Sequence, residues 1–202
     1  MFKLFLDSND RQIKKLAGLI EKINSFEDTV SKFSETQIKE KTEEWKNKAK
    51  DLNEDEQKAC LDEILPEAFA VVREASKRAL DKRHYDVQLL AGIALHQSKV
   101  AEQKTGEGKT LTATLALYLN SLTGKGVHLV TPNDYLSRHG AGWMGPLYDY
   151  LGISVGVIVQ EQAFVYDSQF QNTLFQDEYA VHLREVGRAE AYKCDVIYGT
   201  NS

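Results

Sequence analysis

The sequence lacks most patterns that mark extracellular, metal-binding or membrane-spanning proteins. Its two cysteines, Cys60 and Cys194, form no Cys-x-x-Cys pair, so a reducing cytosolic compartment is the simplest expectation. The five histidines show no metal-ligand spacing. No apolar run reaches the roughly 20 residues of a membrane span, and the apolar start at 1–6 is too short for a signal-peptide core. We therefore expect a soluble protein, or one that touches membranes only at their surface.

Marks of disorder and of strong charge bias are also missing. The chain has only three prolines among its 202 residues, and 42% of these are hydrophobic, which is typical of a globular protein with a real core. The net charge is -5 and no block of like charge stands out, so composition gives no general electrostatic reason to expect nucleic-acid binding.

Helical signals dominate the beginning of the chain. Residues 7–26 form an amphipathic pattern with a basic polar face, which suits packing on the protein's own core or contact with an anionic membrane surface; core packing is the preferred interpretation. Ser34 and Asn53 each precede a helix-capping pattern, and Pro66 stands at the favoured first position of another helix. We expect residues 1–80 to form helical hairpins with short joints.

A glycine-rich turn separates a strand-like run at 99–102 from an apolar helical run at 111–122. Gly106 and Gly108 lack a Cβ, so the backbone can take positive φ values and turn its N–H groups inward. Those groups, with the helix N terminus behind them, would form a concave site for phosphate oxygens. The turn therefore predicts a phosphate-binding loop.

The residues that follow the turn strengthen this interpretation. Lys109 would place its ammonium between the β- and γ-phosphates of a nucleotide, and the Thr110 hydroxyl would be a ligand of Mg²⁺. Gln103 occupies a position where the general motif has glycine, so only the tighter Thr-Gly-x-Gly-Lys-Thr form is present. That form is typical of helicase-type motors.

A glutamine upstream of the loop is a second candidate binding residue. Asp86 is predicted to cap a helix that carries Gln88 within its first turn. A glutamine amide offers a donor and an acceptor, so it can pair with the N6/N7 edge of adenine. An ordinary surface glutamine is the alternative, and the phosphate loop farther along the chain favours the nucleotide role.

The rest of the chain alternates strand and helix patterns. Residues 127–131 and 152–159 are typical of buried strands, and the order strand, loop, helix, strand predicts a βαβ unit with a parallel sheet. Asp134 is expected to cap the helix between them. Residues 163–183 are aromatic with weak periodicity, which predicts an excursion from the fold, either a hairpin or a loose helix. Two further segments are a helix at 184–193 and a strand at 195–200.

Several ordered blocks together resemble the SecA family, the bacterial preprotein translocase ATPases. The likeness covers the chain except 163–183, which resembles a lineage-specific insertion. The blocks are residues 66–75, 86–90, 105–114, 122–128, 131–136 and 198–202.

The resemblance implies an α/β fold. A helical N-terminal region, residues 1–80, would precede a partial RecA-like P-loop domain with a parallel sheet, residues 81–202, which is the first nucleotide-binding domain of a DEAD-type motor and contains the insertion. It also implies ATP and Mg²⁺ as cofactors, Gln88 as the adenine-reading residue, and Lys109 and Thr110 as catalytic residues. The family's phosphate-binding motif matches Gly106, Glu107, Gly108, Lys109 and Thr110.

Function and partners follow from the same resemblance. It implies an ATP-driven protein-export motor that works with preprotein substrates, the SecYEG translocon and anionic membrane lipids, with a homodimer as a further option and no nucleic-acid partner. The expected location is cytoplasmic, peripheral on the inner face of the cell membrane. The N-terminal helix would contact lipid and translocon.

Two alternatives stay open on the residues. The phosphate loop alone also fits a superfamily 2 nucleic-acid helicase. The family's Asp-Glu (Walker B) motif for Mg²⁺ and water activation and its arginine fingers have no counterpart in this sequence. The chain is therefore expected to be a portion of a longer motor that is inactive alone, and a nucleotide-binding module without turnover is the third hypothesis.

Overall fold

The first part of the chain is helical in the computed structural model, which describes residues 16–172 and 177–201. In the first helix, Leu16 and Ile23 are buried and Ile20 packs against the core, so its described part lies on the protein's own interior. The earlier portion of the predicted 7–26 helix lies outside the described residues. The helices are α1 (16–25), α2 (Glu27–Val30), α3 (Glu35–Ala49) and α4 (Glu54–Leu80).

Both predicted capping boxes are confirmed. The Ser34 hydroxyl accepts a hydrogen bond from the Gln37 N–H at 3.2 Å, and the Gln37 side chain accepts from the Ser34 N–H at 2.8 Å. Asn53 and Glu56 form the same reciprocal pair at the start of α4, at 3.1 and 3.0 Å. These bonds satisfy N–H groups that have no partner within the helix and fix where α3 and α4 begin.

The prediction that Pro66 begins a helix is wrong. Pro66 lies inside α4, which continues unbroken from Glu54 to Leu80. A proline inside a helix removes one backbone hydrogen bond. Here the apolar stripe continues on both sides, and Leu65 and Phe69 are buried with the proline itself, so packing of the long helix outweighs the lost bond.

The rest of the chain builds a five-stranded sheet with helices packed on it. The strand order is β1-β5-β2-β3-β4, with β1, β5 and β2 parallel as predicted and β3 and β4 antiparallel. Helix α7 packs across β1, β5 and β2, and α4 packs on α6 and α7. The elements are α5 (Asp86–His96), α6 (Lys109–Ser121), β1 (Val127–Thr131), α7 (Asp134–Leu151), β2 (Val155–Ile158), β3 (Ala163–Tyr166), a 3₁₀ turn (Ala180–His182), β4 (Leu183–Val186), α8 (Arg188–Ala191) and β5 (Val196–Thr200).

One strand prediction is wrong, and another is wrong about burial. Residues 99–102 form no strand, because no described strand lies beside them to pair with. Val100 is accordingly 97% exposed. Strand β1 forms but is not fully buried as predicted. It is the edge strand of the described sheet, its residues alternate between partly buried and exposed, and Val130 is 64% exposed.

The predicted excursion at 163–183 contributes to the sheet. Its first residues form β3, which pairs with β2, and its last residue begins β4, which pairs with β3, so the prediction that it lies outside the fold is wrong. The antiparallel pairing of β3 and β4 agrees with the hairpin alternative, although residues 167–182 separate the two strands. The predicted helix at 184–193 is wrong for its first half. Arg184 to Val186 continue β4 because their backbone pairs with β3, and only Arg188–Ala191 are helical.

Two predicted caps are displaced by one residue. Tyr85, not Asp86, is the N-cap residue of α5, because the Asp86 carboxylate bonds the Arg73 guanidinium at 2.9 Å. Asn133, not Asp134, caps α7 by accepting a bond from the backbone N–H of the third helical residue at 2.9 Å. Only Asn133 caps with its side chain; the Tyr85 side chain forms no capping hydrogen bond, and the Tyr85 N–H donates to Gln88 Oε1.

One hydrophobic cluster extends through the described structure. It contains buried side chains from the helices before residue 80 and from the sheet and helices after it, so the division at residue 80 stays a prediction. Within residues 16–172 and 177–201, no helix combines the length and apolar character that crossing a bilayer requires.

Candidate nucleotide-binding cleft

The predicted loop forms a tight turn directly before α6. Gly106 has φ 89° and Gly108 has φ 78°, values that L-residues with a side chain rarely adopt. Gly108 is also the N-cap of α6, and among the described residues no side chain caps this helix. The N–H groups of its first turn therefore remain available to an anionic ligand, next to the positive end of the helix dipole.

Hydrogen bonds within the loop hold this shape. The Lys104 N–H donates to Glu107 Oε2 at 2.7 Å, and the Glu107 N–H donates to the Lys104 carbonyl at 3.2 Å. Lys109 Nζ donates to the same carbonyl at 2.8 Å. The ammonium thus lies across the loop on an exposed backbone oxygen, a contact that a phosphate could replace.

Gln88 lies directly against the loop, 19 residues before Glu107 in sequence. Its Oε1 accepts from the Tyr85 N–H at 2.9 Å and its Nε2 donates to the Glu107 carbonyl at 3.0 Å. A Cβ on Gly108 would lie 2.5 Å from that Nε2, so glycine permits the close approach. Each end of the amide keeps one further hydrogen-bonding position. The adenine-reading role stays a prediction.

The loop and Gln88 face one cleft of about 830 Å³. All six residues predicted to bind nucleotide line it, and a volume of this order suits a drug-sized or nucleotide ligand. The lining comprises Asp81, Lys82, Arg83, Tyr85, Val87, Gln88, Thr105, Gly106, Glu107, Gly108, Lys109, Thr110, Leu111 and Trp143.

Sequence reasoning missed part of the cleft wall. Trp143 on α7 lines the cleft, and Lys82 Nζ lies over its ring at 5.9 Å from the centroid. Tyr85 and Arg83 lie beside Gln88 in sequence and could have been proposed from that neighbourhood. No local motif marks Trp143, because the fold of the sheet brings α7 to the cleft.

The donor set fits a phosphate-bound Mg²⁺. Within the described ranges, no group of three or more His, Cys, Asp or Glu side chains could hold a metal by itself. Thr110 supplies one hydroxyl at the start of α6. Mg²⁺ in nucleotide sites commonly takes one or two protein oxygens and obtains its other ligands from phosphates and water, so one hydroxyl suits that arrangement.

Comparison with known proteins supplies the family. The sequence model of the SecA DEAD-like domain matches residues 1–202. The chain belongs to this family. It is 50% identical over 202 residues to the protein translocase subunit SecA of Chloroflexus aggregans, covering 99% of this chain and 20% of that protein. It is 51% identical over 195 residues to the SecA of Roseiflexus sp., covering 96% of this chain and 19% of that protein.

A third SecA relative shows a similar identity. The protein translocase subunit SecA of Trichodesmium erythraeum is 50% identical over 206 residues, which cover 100% of this chain and 20% of that protein. The chain therefore spans about a fifth of the length of these SecA relatives.

Proposed function

We propose that the cleft binds ATP with Mg²⁺, and that the chain forms the first motor domain of an ATP-driven protein translocase. The observation that carries the proposal is the coincidence of a family match over the whole chain with a glycine loop that opens a helix towards a nucleotide-sized cleft. A bound Mg²⁺ would neutralise phosphate charge and polarise the γ-phosphate for transfer.

Each residue of the loop has a part in this proposal. The N–H groups from Gly106 to Thr110 would donate to phosphate oxygens, and Lys109 would exchange the Lys104 carbonyl for phosphate. Thr110 would give its hydroxyl to Mg²⁺. The Glu107 side chain accepts from the Lys104 N–H and so keeps the loop bent.

Gln88 would bind and select the adenine base in the same cleft. Gln88 is 5% exposed and its amide is bonded at both ends to backbone, which fixes the amide plane beside the loop. The remaining lone pair on Oε1 and the second hydrogen on Nε2 would meet the adenine edge.

We propose the partners and the location only for the whole protein of which this chain covers a part. The relatives carry the name protein translocase subunit SecA, so preproteins, the SecYEG channel and anionic lipids on the inner face of the membrane are the proposed partners of the whole protein. Within that protein, we assign nucleotide binding to residues 81–202. A homodimer is a further proposal.

The phosphate-loop assignment is tested by replacing its lysine. Lys109→Ala removes a charge-assisted bond, so the Kd for a fluorescent ATP analogue should rise at least about tenfold. Lys58→Ala is the matched control, because Lys58 is an exposed lysine on α4 outside the cleft. Unchanged affinity in Lys109→Ala, with both variants folded by circular dichroism, would remove the assignment.

Turnover is measured separately from binding. ATP binding without phosphate release from the 202-residue chain would agree with a nucleotide-binding portion of a motor. Phosphate release that rises with single-stranded RNA would instead favour the helicase hypothesis.

A further inference from the structure

An ion pair joins the N-terminal helices to the segment in front of α5. Both Arg83 Nε and Arg83 Nη2 donate to the Glu27 carboxylate at 2.7 Å, a bidentate pair. The hydrogen bond from Arg83 is the main cause that lowers the pKa of Glu27, so the carboxylate is charged at neutral pH. Glu27 opens α2, and Arg83 lines the nucleotide cleft.

A buried guanidinium connects the same elements a second time. Arg73 on α4 is 2% exposed, and its Nη2 donates to Asp86 Oδ1 at 2.9 Å. Its Nη1 donates to Asn24 Oδ1 at 2.6 Å and lies 3.5 Å from Glu27 Oε2. Asn24 lies on α1, Glu27 on α2 and Asp86 at the start of α5, so one side chain of α4 contacts three other helices.

The far end of this network reaches the phosphate loop. Tyr85 lies between Arg83 and Asp86, and its N–H donates to Gln88, whose amide donates to the Glu107 carbonyl. Hydrogen bonds thus join α1, α2 and α4 to one part of residues 83–88 and the loop to another, and the covalent backbone of 83–88 connects the two sets. The position of residues 83–88 therefore depends on contacts at both ends.

We propose that Glu27 is a positioning residue for the nucleotide cleft, so that the Glu27–Arg83 ion pair and ATP affinity are linked. The carboxylate holds Arg83, and with it the backbone that presents Gln88 to the loop. The inference rests on the proposed ATP site. By thermodynamic reciprocity, ATP binding must strengthen the Glu27–Arg83 ion pair, and so its hold on residues 16–30, by the same factor.

The competing interpretation is a purely structural role, in which the pair stabilises the fold and leaves nucleotide affinity unchanged. The two differ in one readout. A positioning role changes the Kd for ATP beyond what lost stability explains, whereas a structural role changes only the unfolding midpoint. Matched variants on the same short helix separate them.

The experiment compares three substitutions in the 202-residue chain. Glu27→Gln keeps the shape of the side chain and removes its charge. Asp28→Asn makes the same chemical change on the next residue, an exposed side chain for which the described structure shows no side-chain ion pair. Val30→Ala loosens buried packing of the same segment without touching the ion pairs. For each variant, the Kd for a fluorescent ATP analogue and the thermal midpoint are measured.

We expect Glu27→Gln to weaken ATP binding about two- to fivefold, as suits a half-exposed ion pair. Asp28→Asn and Val30→Ala should keep the wild-type Kd, although Val30→Ala unfolds at lower temperature. Hydrogen exchange adds the reciprocal test, because ATP should protect amides of residues 16–30 in the wild type and less in Glu27→Gln.

Two results would overturn the inference while leaving the ATP site intact. One is an unchanged Kd in Glu27→Gln. The other is an equal loss of affinity in Val30→Ala, since that would trace the effect to general loosening. A wild-type chain that binds no ATP, or a Lys109→Ala variant that binds it normally, would instead refute the proposed function and this inference with it.

Discussion

His84 is a buried histidine whose surroundings favour its neutral form. It lies under α6, where its Nε2 is 3.0 Å from the Leu111 carbonyl and 3.3 Å from the Thr114 hydroxyl. Burial lowers the pKa of His84 from its usual 6.5 to about 4, and the positive charges of Arg73 and Arg83 act in the same direction. The folded protein therefore resists protonating this ring.

This pKa predicts acid sensitivity of the fold. Because the unfolded chain protonates His84 near pH 6.5 and the folded chain near pH 4, its stabilising contribution is complete above pH 6.5 and is lost as the pH falls towards 4. The full difference amounts to about 3 kcal/mol of unfolding free energy. Urea unfolding of His84→Gln between pH 7 and 4.5 should show a clearly smaller pH dependence than the wild type. His128→Gln, at an exposed histidine, should keep the wild-type slope.

At single positions, backbone conformation could be predicted from the sequence, whereas side-chain burial could not. The positive φ of Gly106 and Gly108 follows from their lack of a Cβ, and both values are observed. The buried states of Arg73 and His84 could not be predicted, because they depend on helices that meet only in the folded chain. The same holds for Trp143, which enters the cleft through the packing of α7.

Glycines on α7 make room for the end of β3 and for the segment that follows it. A Cβ on Gly142 would overlap the Tyr179 carbonyl oxygen, and one on Gly145 would overlap the Tyr166 ring. Around them, His139 Nδ1 bonds Asp177 Oδ2 at 2.9 Å. The close approach of backbone and ring to the helix is possible only where the helix carries no side chain.

A methyl group at the closest approach should therefore destabilise the fold. Gly142→Ala adds a Cβ where backbone atoms cannot move aside easily, so we expect a loss of about 1–3 kcal/mol in unfolding free energy by urea denaturation. Gly18→Ala on α1 has no atom within 4 Å of its new Cβ and should stabilise by roughly 0.5–1 kcal/mol through helix propensity. If Gly142→Ala unfolded at the wild-type urea concentration, the described packing of Tyr179 on α7 would be wrong.

Elements with local signals could be predicted, and elements that depend on distant partners could not. The capping boxes that begin at Ser34 and Asn53 span four residues each and predict where α3 and α4 start. Strand β4 carries no such signal, because it forms only where β3 offers a paired edge. The run at 99–102 has a strand-like sequence but no neighbouring strand among the described residues, so it stays irregular.

At the scale of the molecule, contacts cross the boundary proposed at residue 80 in several places. The Thr42 and Tyr118 hydroxyls are 2.7 Å apart in the interior. Lys46 Nζ lies 3.0 Å from Oδ1 of Asp195, the residue directly before β5. Because these bonds accompany one continuous hydrophobic cluster, the helical region and the sheet should support each other's stability.

The two tryptophans provide the test of that interdependence, because Trp45 lies before the boundary and Trp143 after it. In Trp143→Phe the fluorescence reports the helical region, and in Trp45→Phe it reports the region of the sheet and cleft. We expect each variant to unfold in urea with the same midpoint by fluorescence and by far-ultraviolet circular dichroism, since one core melts as one unit. Each variant serves as its own reference, so the stability lost by replacing the buried Trp45 does not affect the comparison. Fluorescence midpoints that depart from the dichroism midpoint in opposite directions would mean that residues 1–80 and 81–202 unfold independently.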